Sequence, residues 1–313
     1  MSGYDDVDLR NFGGQKKKRT AFAQSDTGKQ IMTAMIDAVR RKEASGMVER
    51  FSHHSFLTLR LCGNICCGCV IRDEYSQETV ELPGDAVIVA TGGMHGLFGN
   101  TTGSLSNTGE VTAELFWLGV PLANGEMIQY HPTTVKCGGK RMLISEAARG
   151  EGGRLFAMKD GKQWYFMEEK YPELGNLMPR DITAREIWKV SHESEVFLDM
   201  TEISEEIISN KLSGLADDCM TYLHKDIRKE PVSVLPGIHY FMGGILVDEQ
   251  HRTPIQNLYA AGECCAQYHG ANRLGGNSLL GALYGGRVAA KSACEQADVV
   301  CLLYTSPSPR DGA

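Results

Sequence analysis

The stretch "YHGANRLGGNSLL" at 268–280 sets one permanent cation, Arg273, among three glycines, two asparagines and a serine. Glycine lets a backbone come close to a ligand, and a guanidinium grips a carboxylate or phosphate with a planar fork. The combination points to an anion held near the main chain. Four other stretches carry side chains able to bind an anion or move a proton. They are "QYHPTT" with His131, "ISEAARGEGG" with Ser145, Glu146 and Arg149, "MPRD" with Arg180, and "HYFMGGI" with His239. Taken singly, several have an ordinary structural explanation. A histidine before proline suits a turn, and Arg180 beside Asp181 suits a surface ion pair. Glu146 and Arg149 suit a solvated pair one turn apart on a helix.

The elements that must bring these residues together have a readable order. Apolar residues at 31, 32, 35, 36 and 39 predict a helix over 27–45. Short strands follow over 55–62, 67–71, 78–82 and 86–90. The last of these, in "DAVIVATGG", runs into Ala90, Thr91, Gly92 and Gly93. A helix is predicted over 108–120. "NLYAAGECC" at 257–265 restores the strand-and-glycine style and ends on an acid, Glu263, before a long helix opening at Asn277 or Ser278. Glycines at the carboxyl end of a strand are where α/β sheets bind nucleotides. Residues 125–234 are less regular and richer in charge. The whole reads as a discontinuous α/β domain with a second domain inserted into it.

Composition narrows the class. Hydrophobic content of 42% and charged content of 23% are those of a globular protein with an ordinary core. A net charge of −7 argues against nucleic acid as a partner. The basic run "QKKKR" at 15–19 reads as a solvated loop. No apolar run reaches the roughly 18 residues of a membrane span. Cys62, Cys66, Cys67 and Cys69 cluster in "LCGNICCGCVIRD". Their spacing fits none of the usual zinc or iron–sulfur patterns, so they read as structural thiols in a reducing compartment, with no metal site. The end, "CLLYTSPSPRDGA", has no packing pattern, and 300–313 reads as a non-native disordered tail.

Considered jointly, "ATGG", "QYHPTT", "ISEAARGEGG", "MPRD", "HYFMGGI", "AAGE" and "GANRLGGNSL" fall in one order along the chain. In that order the chain resembles the flavoprotein subunits of fumarate reductase and succinate dehydrogenase, from about residue 19 to residue 293. The resemblance implies a Rossmann-like FAD-binding domain in two parts, 15–124 and 235–299, and an inserted α+β capping domain over 125–234. It implies FAD as cofactor and a dicarboxylate substrate, fumarate or succinate. His131 and Ser145 would bind one carboxylate, and His239 with Arg273 the other. Arg180 would protonate the substrate carbon, with Glu146 and Arg149 as its proton relay. Ala90, Thr91, Gly92, Gly93, Glu263, Asn277, Ser278 and Leu279 would hold FAD, with Glu263 on a ribose hydroxyl. The chemistry is consistent with those roles. A dicarboxylate needs two separated clamps, and an arginine serves as an acid only where buried charges and a carboxylate relay lower the cost of losing its proton. His53, His54, His95 and His192 lie outside these motifs and read as structural.

The departures from the family pattern carry expectations of their own. No G-x-G-x-x-G is present, and the glycines at 13 and 14 have another spacing. "TGE" at 108–110 stands where the family commonly has T-G-D-G. The chain thus resembles the central part of the enzyme, without the N-terminal dinucleotide loop or the C-terminal helical region. An iron–sulfur subunit or another electron-transfer protein is the implied partner. The implied location is the cytoplasm, peripheral on the cytoplasmic membrane through partner subunits. Two alternatives stand beside this reading. One is an L-aspartate oxidase, which shares "HPT", "RGEG" and "GANRL" but usually carries C-G-G where this chain has "MGG". The other is an inactive fragment or scaffold lobe unable to hold FAD.

Overall fold

The computed structural model describes residues 8–304 apart from 11, 14, 16, 24 and 25, and of 297–304 only the backbone. Two motif strands meet at its nucleotide-style edge. Val87–Val89 and Leu258–Ala260 pair in parallel, Val87 opposite Leu258 and Val89 opposite Ala260. Segments far apart in the chain therefore bring "ATGG" and "AAGE" side by side at their carboxyl ends. The helix Asn277–Tyr304 packs Ala289 and Ala293 onto Tyr259 and Ala261, a close contact that small side chains permit. This helix extends to Tyr304, into the segment expected to be a tail; residues 305–313 lie outside the described residues.

The strands predicted between 55 and 82 form one antiparallel meander of His54–Cys62, Ile65–Asp73 and Thr79–Pro83. Cys62, Cys66, Cys67 and Cys69 lie on its first hairpin. The helix expected over 108–120 is shorter, Glu110–Trp117. Gly109 at φ +82 and Gly119 at φ +91 are left-handed and bound it on both sides. The helix Thr27–Ala44 forms as predicted but buries none of its residues. Its apolar stripe of Met32, Met35, Ile36 and Val39 is about half exposed, because no described element covers that face.

Between these parts lie two antiparallel sheets. In one, Ile128–Cys137 runs between Leu235–Phe241 and Lys140–Leu143. The other has the order Lys162–Trp164, Arg154–Lys159, Val196–Asp199, Val232–Ser233. Helices Arg180–Ser191, Glu205–Lys211 and Ser213–Leu223 accompany them. One apolar cluster draws all its buried members from 135–234, among them Ile144, Leu155, Phe166, Ile187 and Leu198. A second draws its members from 59–120 and 245–265, among them Leu115, Val120, Ile245 and Leu258.

Candidate active site

The strand Ile128–Cys137 supplies the floor. Gln129, His131 and Thr133 alternate onto one of its faces and all are buried. His131 Nδ1 lies 3.1 Å from the Thr133 carbonyl, which also accepts the Ile144 N–H at 3.0 Å, and 3.2 Å from the Thr133 N–H. His131 Nε2 is buried without a hydrogen-bond partner among the described residues. On the neighbouring strand Leu235–Phe241 the register shifts between Ile238 and Tyr240. His239 is the residue in the bulge, and bulges re-aim side chains. It meets the His131 ring edge to face at 5.2 Å, and its Nδ1 lies 2.7 Å from Thr102 Oγ1.

Glu146 is the centre of the charged cluster. Its Oε2 accepts from Arg180 Nη2 at 2.9 Å and Nε at 3.2 Å, and its Oε1 accepts from Arg149 Nη2 at 3.1 Å. Arg149 Nη1 continues to the Asn176 carbonyl at 2.6 Å. The three residues are thus one buried ion network rather than two solvated pairs. Local structure places them. Ser145 caps the short helix Glu146–Gly150 by accepting the Ala147 N–H at 3.2 Å, and Arg180 is the first residue of the helix Arg180–Ser191. Glycines make room for the carboxylate. A Cβ on Gly13 would lie 2.6 Å from Glu146 Oε1, and one on Gly275 would lie 2.6 Å from Oε2. Gly275, in the glycine-rich stretch, is therefore where backbone closes on Glu146, with Phe12 packed beside it.

Arg273 is buried, its guanidinium 4.4 Å over the Tyr240 ring, and its Nε has no partner among the described residues. Burial and then the charge of Arg180 lower its pKa to about 10. Burial, followed by Arg180 and His239, holds the His131 imidazole well below its usual pKa. Burial, Arg180 and Arg273 do the same for His239. Both rings are neutral near pH 7 and bind as hydrogen-bonding dipoles. Burial alone would raise the Glu146 pKa, but Arg180 and Arg149 outweigh it and hold the carboxyl below its ordinary range. Neutral rings, guanidiniums fixed by hydrogen bonds, and the Nε groups of Arg149 and Arg273 without partners among the described residues form a cluster rich in donors, which suits an anion.

The residues expected to hold FAD lie next to this cluster. Ala90 and Thr91 are exposed at the end of Val87–Val89, and Gly92 turns at φ +73. A Cβ on Gly93 would come 2.7 Å from Glu263 Oε1 and 2.8 Å from Phe241, so the loop closes onto the second motif only because it ends in glycine. Glu263 Oε1 accepts from the Phe241 N–H at 2.9 Å and faces His95 Nε2 at 3.0 Å; His95 Nδ1 in turn lies 2.7 Å from Thr101 Oγ1. The second carboxylate oxygen of Glu263 suits a ligand hydroxyl. Asn277, Ser278 and Leu279 occupy the first turn of the long helix, whose positive end suits an anionic ring edge or phosphate. These features fit a flavin dinucleotide. His95, Gln129, Thr102 and Phe12 were outside the sequence expectation for the site. Each is an unremarkable residue alone, and only the pairing of distant segments recruits it.

Comparison with known proteins agrees with this geometry. The FAD binding domain family matches residues 2–279. The succinate dehydrogenase flavoprotein subunit of Bacillus subtilis is 43% identical over 296 residues, covering 92% of this chain and 50% of that protein. An L-aspartate oxidase of Clostridium perfringens is 34% identical over 278 residues, covering 87% of this chain and 60% of that protein. Among solved structures, a mutant of E. coli quinol fumarate reductase superposes with a TM-score of 0.85 at 31% identity, over 94% of this chain and 52% of that one. The chain spans about half the length of the curated relatives it matches. It belongs to the FAD binding domain family, with FAD as its cofactor, and is similar to the flavoprotein subunits of succinate dehydrogenase and fumarate reductase.

Proposed function

We propose that the protein interconverts fumarate and succinate. The observation that carries this reading is the buried Glu146 carboxylate held by both Arg180 and Arg149, beside a His131 Nε2 and an Arg273 Nε that have no partner among the described residues. His131 and the Ser145 hydroxyl hold one substrate carboxylate; His239 and Arg273 hold the other. Bound FAD supplies a hydride from N5 in the reductive direction and accepts one in the oxidative direction. In reduction the alkene carbon that does not receive the hydride takes a proton from Arg180. Glu146 and Arg149 then return a proton to Arg180, so that one hydride and one proton convert fumarate to succinate. The positive charge of Arg273 polarises the alkene, and preorganised donors at the developing charge are the strongest single source of rate enhancement.

In this reading 15–124 and 235–299 form the FAD-binding unit and 125–234 caps the substrate, a division supported by the two separate apolar clusters. Electrons arrive from an iron–sulfur subunit or another electron-transfer protein, which would hold the protein at the cytoplasmic face of a membrane. No helix among the described residues is long and apolar enough to cross one.

Similarity to an L-aspartate oxidase supports a second reading. It is disfavoured by Met242, which stands where that enzyme family usually has cysteine. The test is a substrate comparison on the complete, FAD-loaded protein. Fumarate reduction by a reduced dye, and succinate oxidation by an oxidised one, are expected. L-aspartate-dependent oxygen consumption without either activity would replace the first reading by the second.

A further inference from the structure

We propose that Gln129 is a positioning residue that sets the spacing between Arg180 and Arg273 through one buried amide. The inference rests on the dicarboxylate reading for the roles of those two arginines, but its geometry does not. Gln129 Oε1 accepts from Arg180 Nη1 at 3.1 Å. Its Nε2 donates to the Arg273 carbonyl at 2.7 Å and to Asn272 Oδ1 at 3.0 Å. A guanidinium can only donate and a main-chain carbonyl can only accept, so the amide has a single orientation. Both of its N–H groups are used.

The bonds close a ring. Asn272 Nδ2 donates to Asp181 Oδ1 at 2.9 Å, and Asp181 follows Arg180 on the same helix. The loop carrying Arg273 is thereby tied to the strand carrying His131 and to the helix carrying Arg180. Tyr240, which lies opposite Gln129 in the strand register, supports the Arg273 guanidinium from below. Gln129 fixes the backbone of Arg273 while its strand partner fixes the head group. Arg180 and Arg273 repel each other, so something neutral must hold them at one separation. An amide does this without adding a charge that would hold the Arg180 proton more tightly. A shift of about 1 Å between a proton donor and a substrate clamp costs on the order of 10²-fold in rate.

The test uses the complete, FAD-loaded protein and two variants. Gln129→Met fills a similar volume without the amide; alanine is avoided because a cleft of about 440 Å³ lined by Tyr130, Asp181, Trp188 and Asn272 runs along Gln129. Gln129→Glu keeps an acceptor for Arg180 but loses both N–H groups. Amide hydrogen exchange reports the ring directly, without any assumption about the substrate. Exchange in 270–275 is expected to rise about 10-fold in both variants, while 180–184 loosens only in the methionine variant. In Gln129→Met, kcat for fumarate is expected to fall about 10²-fold with KM changed about 3-fold or less. Unchanged exchange in both variants, or a methionine variant with normal kcat, overturns the proposal. Loosened exchange in a protein that does not reduce fumarate supports the positioning role and removes the dicarboxylate reading instead.

Discussion

Glu146 Oε2 lies 2.9 Å from Arg180 Nη2, and the two side chains are only 2% and 7% exposed. A carboxylate so enclosed is stable only because Arg149 takes its other oxygen. The same arrangement that makes Glu146 affordable in the interior makes it the one group placed to pass a proton between two guanidiniums. Glu146→Gln preserves shape and removes the charge. It is expected to lower kcat for fumarate about 10²-fold with affinity nearly unchanged, since the lost interaction acts on proton transfer. It should also destabilise the fold by about 3 kcal/mol, because two buried guanidiniums lose their counter-charge. Urea unfolding and steady-state kinetics check the two effects; a variant with normal turnover would remove Glu146 from the relay.

Gly275 offers a steric test of the same centre. An alanine there would place its Cβ 2.6 Å from Glu146 Oε2 and 2.7 Å from Phe12, and Arg180 prevents the carboxylate from yielding. Gly275→Ala is expected to cost about 1–3 kcal/mol in stability and to lower turnover. Gly286 is the control: nothing lies within 4 Å of its added Cβ. Gly286→Ala in the long helix is expected to stabilise by about 0.5–1 kcal/mol with normal kinetics. Thermal melts of both variants decide between these outcomes.

The clamp has its own signature. His239→Ala and Arg273→Ala each remove a group proposed to hold one substrate carboxylate. Each is expected to weaken fumarate binding by about 1.5–3 kcal/mol, read from perturbation of the flavin absorbance. Wild-type affinity in either variant would reassign that residue.

The buried imidazoles predict a pH dependence. His131 and His239 have folded pKa values well below 6.5, so under acid conditions the unfolded chain binds protons that the folded protein refuses. Stability therefore rises with pH up to about 6.5 and falls on acidification below it, each ring contributing up to about 1.4 kcal/mol per pH unit. His131→Gln and His239→Gln should each flatten the slope of unfolding free energy against pH between about 5 and 6.5. An unchanged slope in both variants would mean that the rings titrate normally.

Much of this site is legible before folding, because its chemistry sits in short motifs with rare residue combinations. His131, Glu146, Arg149, Arg180, His239 and Arg273 are all marked in that way, and the fold brings them into one cluster in which all but the half-buried His239 are buried. What stays hidden depends on contacts between segments far apart. Gln129 looks like any polar strand residue until its amide meets Arg180 and Arg273; its one local signal is a position two residues before His131, on the same strand face. His95 has no motif, yet it meets Glu263 at 3.0 Å. Ser145 shows the opposite case, since its hydroxyl oxygen already accepts a bond as a helix cap, a local role the motif does not announce. The helix Thr27–Ala44 shows that periodicity fixes an element's type without fixing what covers it.

The central claim is that Arg180 delivers the proton, and the reoxidation half-reaction tests it most directly. The complete protein is reduced, mixed rapidly with fumarate, and flavin oxidation is followed in wild type, Arg180→Lys and Arg180→Gln. Lysine keeps the charge but changes the donor geometry, and glutamine removes the charge. The account predicts that flavin oxidation slows by about 10³-fold or more in both variants, while fumarate binding changes far less, because the group is needed only in the transition state. Near-normal flavin oxidation by fumarate in Arg180→Gln would contradict it.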